Sequence, residues 1–327
     1  MSAHDPWALR NLLGPDAGLC HRSLTGQSGV SLPPLIDHHV HLHLVDETVL
    51  GEHGIAAVVD LGGDPVALAR RPRDGMPHVA YAGAFLTARG GYPSGRTWAP
   101  ASIVREVTDA SVHPGVPGGA ATAVDEQASF GASVIKVALN ADAGTVPDDA
   151  TLAAIIETAR GHGMPVAAHV QGAGMARRAI EGGVDVLAHT PFSERLDADL
   201  IERAATAGQW WISTLDIHRN DPRALGHATA NLAAFAAFGG AVLYGTDLGN
   251  GELPVGVNAR EVAALQSAGL VGADLIEAMA DPWPLRTRTA AVATFVPGEP
   301  PRTDEDVPAW LARATVVPTE ELTSDDH

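Results

Sequence analysis

Residues 35–43 read Leu35-Ile36-Asp37-His38-His39-Val40-His41-Leu42-His43. Residues two apart in a β-strand share a face. His39 and His41 can therefore point together at one ion, as neutral imidazole ligands. His41 and His43 have the same spacing, so spacing alone does not choose the pair. The apolar start of this stretch is the first of eight strand-like runs, at 35–40, 55–61, 78–85, 133–139, 165–170, 185–189, 210–215 and 241–246. Longer Ala-rich amphipathic stretches lie between them, clearest at 148–162, 172–182, 194–208, 223–239 and 258–268. Several are followed by Gly, the usual helix stop. Near-continuous apolar strands suit a parallel sheet covered on both faces. Eight such units predict an α/β chain folded as a (β/α)8 TIM barrel rather than a shorter open sheet.

Composition narrows the function. The chain has 327 residues, 46% hydrophobic and 18% charged, which is globular composition. With 21 Lys and Arg against 39 Asp and Glu, its formal net charge is −18. So acidic a chain repels phosphate backbones and anionic membrane surfaces, so neither nucleic acid nor membrane is an expected partner. The single cysteine, Cys20, excludes an internal disulfide and suits a small buried apolar role. The N-terminus lacks a basic start followed by an apolar run, and the apolar stretch 232–244 is too short to span a bilayer. A cytoplasmic protein with a small-molecule substrate is expected, and a homo-oligomer is compatible with all of this.

Ionisable residues recur where the predicted strands end. Lys136 sits inside the apolar run 134–138, where an unpaired lysine is costly. His169, His189 and Asp247 close the fifth, sixth and eighth strands. Each alone reads as a core residue or a cap. Six such groups on strands one, four, five, six and eight are hard to explain as packing. The Gly- and Pro-rich segment 88–120 follows the third strand, which in a barrel places it over the face where active sites are built. Tyr92 in that segment and His218 after the seventh strand are candidate substrate contacts. Arg89 and Arg96 are candidates for a substrate carboxylate.

These segments resemble the amidohydrolase superfamily, in its prolidase-like and imidazolonepropionase-like branch. The matching stretches are 34–41, 130–136, the surroundings of His169, 182–189 and Gly245-Thr246-Asp247, and the likeness covers roughly 34–279. The family pattern selects His39 and His41 as the pair. The resemblance implies two divalent ions, usually zinc, bridged by hydroxide and by Lys136 carbamylated with CO2. His39, His41 and Asp247 would hold one ion, His169 and His189 the other, and Asp247 would shuttle the proton. Tyr92 stands where that branch carries a histidine after Gly-Gly.

The resemblance is less complete at the ends. The first thirty or so residues do not read as paired strands, and the segment 306–311 looks like an eroded accessory strand. Short strand-like pieces occur at 293–297 and 314–317, and the last ten residues look disordered. The expected layout is an N-terminal extension at 1–33, a barrel at 34–281 and a reduced accessory segment at 282–327, with the usual β-sandwich reduced or missing. The expected activity is hydrolysis of an amide, a cyclic amide or a lactone. A mononuclear deaminase is the alternative, but it lacks the bridging lysine and carries Glu where Gln171 stands two residues after His169. A non-catalytic metal- or ligand-binding barrel is the third reading, and the complete ligand set argues against it.

Overall fold

The computed structural model describes residues 5–72, 75–285 and 291–325. In chain order the strands are β1 (Gly18–Arg22), β2 (Ser28–Leu32), β3 (Leu35–Val40), β4 (Ile55–Asp60), β5 (His78–Tyr81), β6 (Phe85–Thr87), β7 (Val104–Glu106), β8 (Ile135–Asn140), β9 (Val166–Gln171), β10 (Val186–Leu187), β11 (Trp210–Ile212), β12 (Ala241–Leu243), β13 (Val292–Pro297), β14 (Thr315–Pro318) and β15 (Leu322–Ser324). The fold is mixed α/β. One parallel sheet has seven strands in the order β12-β11-β10-β9-β8-β6-β7, and a second parallel sheet has the order β3-β4-β5.

All six residues of β3 and all six of β8 are buried, as the apolar runs require of strands covered on both faces. The expected third strand, 78–85, is interrupted. Residues 78–81 pair with β4 as β5, and of the rest only Phe85 enters β6, which pairs with β8 and runs on to Thr87. Backbone hydrogen bonds join the two parallel sheets in two places, beside β5 just ahead of β8 and beside β3 after the edge strand β12. Ser133 N donates to Tyr81 O at 2.9 Å; on the other side His38 N donates to Tyr244 O at 3.0 Å and His41 N to Leu248 O at 2.8 Å.

Several helices begin where the sequence supplies a side-chain cap. Asp148 accepts from Thr151 N ahead of Asp149–Gly161, and Asp221 accepts from Arg223 N and Ala224 N ahead of Pro222–Ala237, which has Pro at its first position. Asn258 does the same for Ala259–Ser267.

The chain ends differ from expectation. Instead of an unpaired N-terminal extension, β1 and β2 form a hairpin inside a five-stranded antiparallel sheet, β14-β13-β2-β1-β15. Both termini thus build one accessory sheet. The strand-like pieces read at 293–297 and 314–317 are its β13 and β14. Gly29 in β2 marks a close approach: a Cβ there would collide with Val296 O and the Phe295 ring of β13. The tail expected to be disordered is ordered as far as Ser324, because β15 pairs with β1 and Arg22 forms an ion pair with Glu321 at 2.6 Å. Residues 306–311 form the short helix Val307–Leu311 and its preceding turn, not an eroded strand. The first four residues, part of the stretch read as lacking a basic start and an apolar run, lie outside the described residues. No helix among the described residues is long and apolar enough to cross a membrane.

Candidate metal centre

His39, His41, Lys136, His169, His189 and Asp247 all line one cavity of about 450 Å³. His39 lies on β3 with His41 just beyond it. Lys136 is on β8 and His169 on β9, while His189 and Asp247 follow β10 and β12. The parallel register places Ala138 beside His169. The four imidazoles form a connected group, with ring centroids 5.3 Å apart for His39 and His41, 4.5 Å for His39 and His189, and 4.8 Å for His169 and His189.

Hydrogen bonds orient the two β3 histidines. His39 Nδ1 faces Ala188 O at 2.7 Å, and His41 Nδ1 faces Gly62 O at 3.1 Å. A carbonyl only accepts, so each Nδ1 carries a proton, and in the neutral imidazole each Nε2 is left with a lone pair. Both Nε2 atoms point at one carboxylate oxygen, Asp247 Oδ1, at 3.3 and 3.2 Å. With both imidazoles neutral, as metal ligation requires, three acceptors meet here, and His39 Nε2 and Asp247 Oδ1 are buried without a hydrogen-bond partner. These three residues are also the described group that offers one ligand atom each within 4.8 Å of one another. A cation is the natural occupant of such a set. Lys136 is fully buried at the bottom of the same cavity, its Nζ without a hydrogen-bond partner and 5.7 Å from the Phe85 ring centroid.

The electrostatics follow from burial. Burial lowers His39 and His189 well below the ordinary histidine value and His169 to about 3, with neighbouring positive groups adding to the effect. Burial likewise lowers Lys136 to about 7, against the pull of Asp247 and Asp60. For Asp247, burial acts upward, but the imidazoles around it hold its carboxyl well below the usual range. For His41, burial acts downward and the Asp247 carboxylate outweighs it, so its pKa is raised.

The structure also separates the other histidines of the opening stretch. His38 turns away, with Nδ1 at 2.7 Å from Tyr244 O and Nε2 at 2.9 Å from Asp281 O. His43 is exposed and lies 3.3 Å from Trp98 O. Neither lines the cavity, whereas Tyr92 and His218 do. Tyr92 stacks on His169, with centroids 4.8 Å apart and planes at 23°. His218 Nε2 is buried without a partner, and its ring lies 4.2 Å from that of Phe192. Arg89 and Arg96 do not line the cavity. The 88–120 segment does reach it, through Tyr92 and Trp98.

Several supporting residues went unread in the sequence. Asp37 accepts from Thr246 Oγ1 at 2.5 Å, from Thr246 N at 3.0 Å and from His39 N at 3.1 Å, which ties the β3 histidines to the residue before Asp247. Asp60 accepts from Leu42 N and Gly62 N, fixing the carbonyl that holds His41. Thr214 Oγ1 lies 3.0 Å from His189 Nδ1. Thr214 and Asp247 are the two non-glycine residues with positive φ among the described residues, at 45° and 58°. Such backbone strain concentrates at functional sites. Gly245 is required by contact rather than by its backbone, since a Cβ there would collide with Ile212 Cγ2 and press on His39 N at 3.2 Å.

Neither a family model nor a curated protein matches the sequence. Solved structures do. The chain is similar to a Xaa-Pro dipeptidase with bound methionine, at TM-score 0.68 and 19% identity, covering 90% of this chain and 86% of that one. It is similar to ochratoxinase from A. niger, at TM-score 0.68 and 20% identity, covering 88% and 82%. The chain has the amidohydrolase fold. A third similar structure is phenylurea hydrolase B, at TM-score 0.62 and 16% identity, covering 90% of this chain and 85% of that one. The resemblance read from the sequence thus holds at the level of the amidohydrolase fold. A second cavity, of about 550 Å³, opens beside Pro34, Val58, His78 and Trp283, and no metal-ligating group of three is found there among the described residues.

Proposed function

We propose that the chain is a metal-dependent hydrolase of a small molecule, cleaving an amide, a cyclic amide or a lactone. The observation that carries this is the meeting of His39 Nε2, His41 Nε2 and Asp247 Oδ1 beside a buried, unpartnered Lys136 Nζ. We read the two parallel sheets as one closed (β/α)8 barrel, a reading supported by the backbone hydrogen bonds that join them beside both β5 and β3. His39, His41 and Asp247 would hold one ion and His169 and His189 a second, with Lys136 carrying a carbamate between them. A carbamate would turn the costly buried cation into a carboxylate-like ligand. Bound there, two divalent ions, with zinc the first candidate for this histidine-rich set, supply Lewis acidity that polarises the scissile carbonyl and lowers the pKa of water.

The chain's own groups do the rest. Asn250 Nδ2 donates to Asp247 Oδ2 at 2.7 Å, which leaves Oδ1 facing the cavity. Asp247 takes a proton from the attacking water and delivers it to the departing nitrogen or oxygen. His218 Nε2 offers a polar contact to the substrate, and Tyr92, Trp98 and Phe192 form walls that exclude bulk water. Hydrolysis of amide-type bonds agrees with what the names of the similar dipeptidase and phenylurea hydrolase say of those proteins.

Elemental analysis of the purified protein tests this reading. Up to two divalent ions per chain are expected, and His169→Ala or His189→Ala should lose one of them preferentially. The absence of stoichiometric metal after reconstitution with zinc, manganese or cobalt would overturn it.

A further inference from the structure

The cavity walls carry information about the substrate beyond its reacting bond. Phe85, Tyr92 and Trp98 form one aromatic cluster, with ring centroids 6.0 to 6.3 Å apart. Phe192 and Ile217 also line the cavity, with the Phe192 ring against His218. Among the described lining residues Lys136 is the one lysine or arginine; its Nζ lies 5.7 Å from the Phe85 ring centroid at the inner edge of this wall, and it belongs to the proposed ligand set. The guanidinium nearest in sequence to His218, that of Arg219, is engaged elsewhere: it donates to Asp216 O at 3.3 Å and Glu252 O at 3.1 Å. A substrate carboxylate entering this space would lose its water against aromatic rings and meet no cation in the wall. Burying an unpaired charge in that way is strongly unfavourable. The net charge of −18 opposes the approach of an anion as well.

An uncharged group meets the opposite situation. Its apolar flanks replace water against Phe85, Trp98 and Phe192. A buried polar atom of the wall with no partner of its own is His218 Nε2, and burial lowers that imidazole to about 4, so it is neutral at neutral pH. A neutral imidazole can donate to a carbonyl without requiring a counter-charge.

We propose that this cavity selects an uncharged amide or ester flanked by aromatic or aliphatic groups and rejects substrates that present a free carboxylate to the wall, with His218 Nε2 as the polar contact to the neutral substrate. The proposal rests on the hydrolase reading for the bond cleaved, but selection by the walls can be measured without turnover.

Two matched probes serve. Deoxybenzoin is an uncharged ketone with an aromatic ring on each side and no bond to hydrolyse; its 4-carboxy derivative adds one charge at the far end of the benzoyl ring. Binding of each to the protein as purified is read by calorimetry. Deoxybenzoin should bind about 100-fold more tightly or better, the scale expected for an unpaired charge forced against an apolar wall. Ile217→Arg places a guanidinium in the wall and should narrow that gap at least tenfold. His218→Leu should weaken deoxybenzoin about tenfold, the scale of one hydrogen bond, and His218→Gln should restore most of the loss. Equal or tighter binding of the carboxylate overturns the proposal, as does undetectable binding of deoxybenzoin up to its solubility limit.

Hydrolysis is scored separately, with phenylacetanilide against its 4-carboxyanilide counterpart and a panel of free dipeptides. Preferential cleavage of the carboxylates would overturn the proposed selectivity and leave the hydrolase reading standing. Selective binding of deoxybenzoin with no cleavage of any amide by metal-loaded protein would uphold the selectivity and sink the hydrolase reading.

Discussion

Thr214 offers a sharp test of how the site is held. Its Oγ1 lies 3.0 Å from His189 Nδ1, and both side chains are buried. If Nδ1 donates there, Nε2 of His189 is left to bind an ion, and the hydroxyl fixes the ring's orientation. Thr214→Val keeps the shape and removes the acceptor. Both residues are β-branched and both would occupy φ near 45°, so the backbone strain is common to them and cancels in the comparison. What remains is a buried N–H without a partner, a cost of about 1–3 kcal/mol. A cost at the centre of that range corresponds to a loss of about 10- to 100-fold in affinity, which is also the scale found when a ligand's hydrogen-bond partner is removed. The loss should fall on the ion assigned to His169 and His189. Titration against a chromophoric chelator resolves the two affinities. Thr214→Ser retains the hydroxyl and should retain affinity to within a few-fold. Equal affinities for both ions in wild type and Thr214→Val, or an equal loss in Thr214→Ser, would refute the reasoning.

Asp247→Asn should lower kcat by about 100-fold or more, the scale of general acid–base groups, with a smaller change in KM; a near-normal rate would show that the proton travels through another residue. Lys136→Arg should remain inactive, because a guanidinium cannot be deprotonated in a protein and so cannot form the carbamate; wild-type apo-protein should regain activity faster when bicarbonate accompanies the metal, read from the rate of reactivation. Glu261 gives a pH dependence of stability: burial raises its carboxyl from 4.5 to about 7, even though Leu215 N and Asp216 N donate to it at 2.9 and 2.7 Å. A raised folded-state pKa means that this group's contribution is fully present below about pH 4.5 and is lost as pH rises through about 7. At about 1.4 kcal/mol per unit, wild type should gain on the order of 3 kcal/mol over Glu261→Gln between pH 8 and pH 4.5 in urea denaturation, and a pH-independent difference would contradict the burial argument.

The sequence showed the parallel strands because burial on both faces leaves a continuous apolar run that needs no partner to be recognised. Residues 35–40 were bounded correctly, and β8 and β9 to within two residues at each end. The later strands are shorter than their runs. Val186–Leu187 occupies two positions of 185–189, because the chain leaves the ladder as it delivers His189 to the cavity. The end sheet was illegible for a different reason. β1 and β2 are five residues each, carry Gly and Ser, and owe their strand state to β13 and β15, which lie some 260 to 300 residues away. Local pattern holds no trace of such a partner.

The same division runs through the site. The residues proposed to do chemistry are conspicuous because their side chains are out of place: a lysine inside an apolar run, a histidine ending each of two predicted strands. Residues that orient them are not. Asp37 was visible beside the histidines, but its tie to Thr246 spans 209 positions and appears only when β3 and the segment after β12 lie side by side. Thr214 is less legible still, since threonine disfavours the left-handed backbone it adopts, and a sequence pattern would place it elsewhere. Its conformation is imposed by neighbours that hold the turn after β11. Leu215 N and Asp216 N both donate to the buried Glu261 carboxylate, and Asp216 in turn accepts from Asn258 Nδ2 at 2.8 Å and Arg260 Nε at 2.9 Å. The helix Ala259–Ser267 thus braces the turn that presents both Thr214 to His189 and His218 to the cavity. The candidate metal ligands could be read one at a time; this bracing is a property of the turn and the helix together, and no single residue in the sequence announces it.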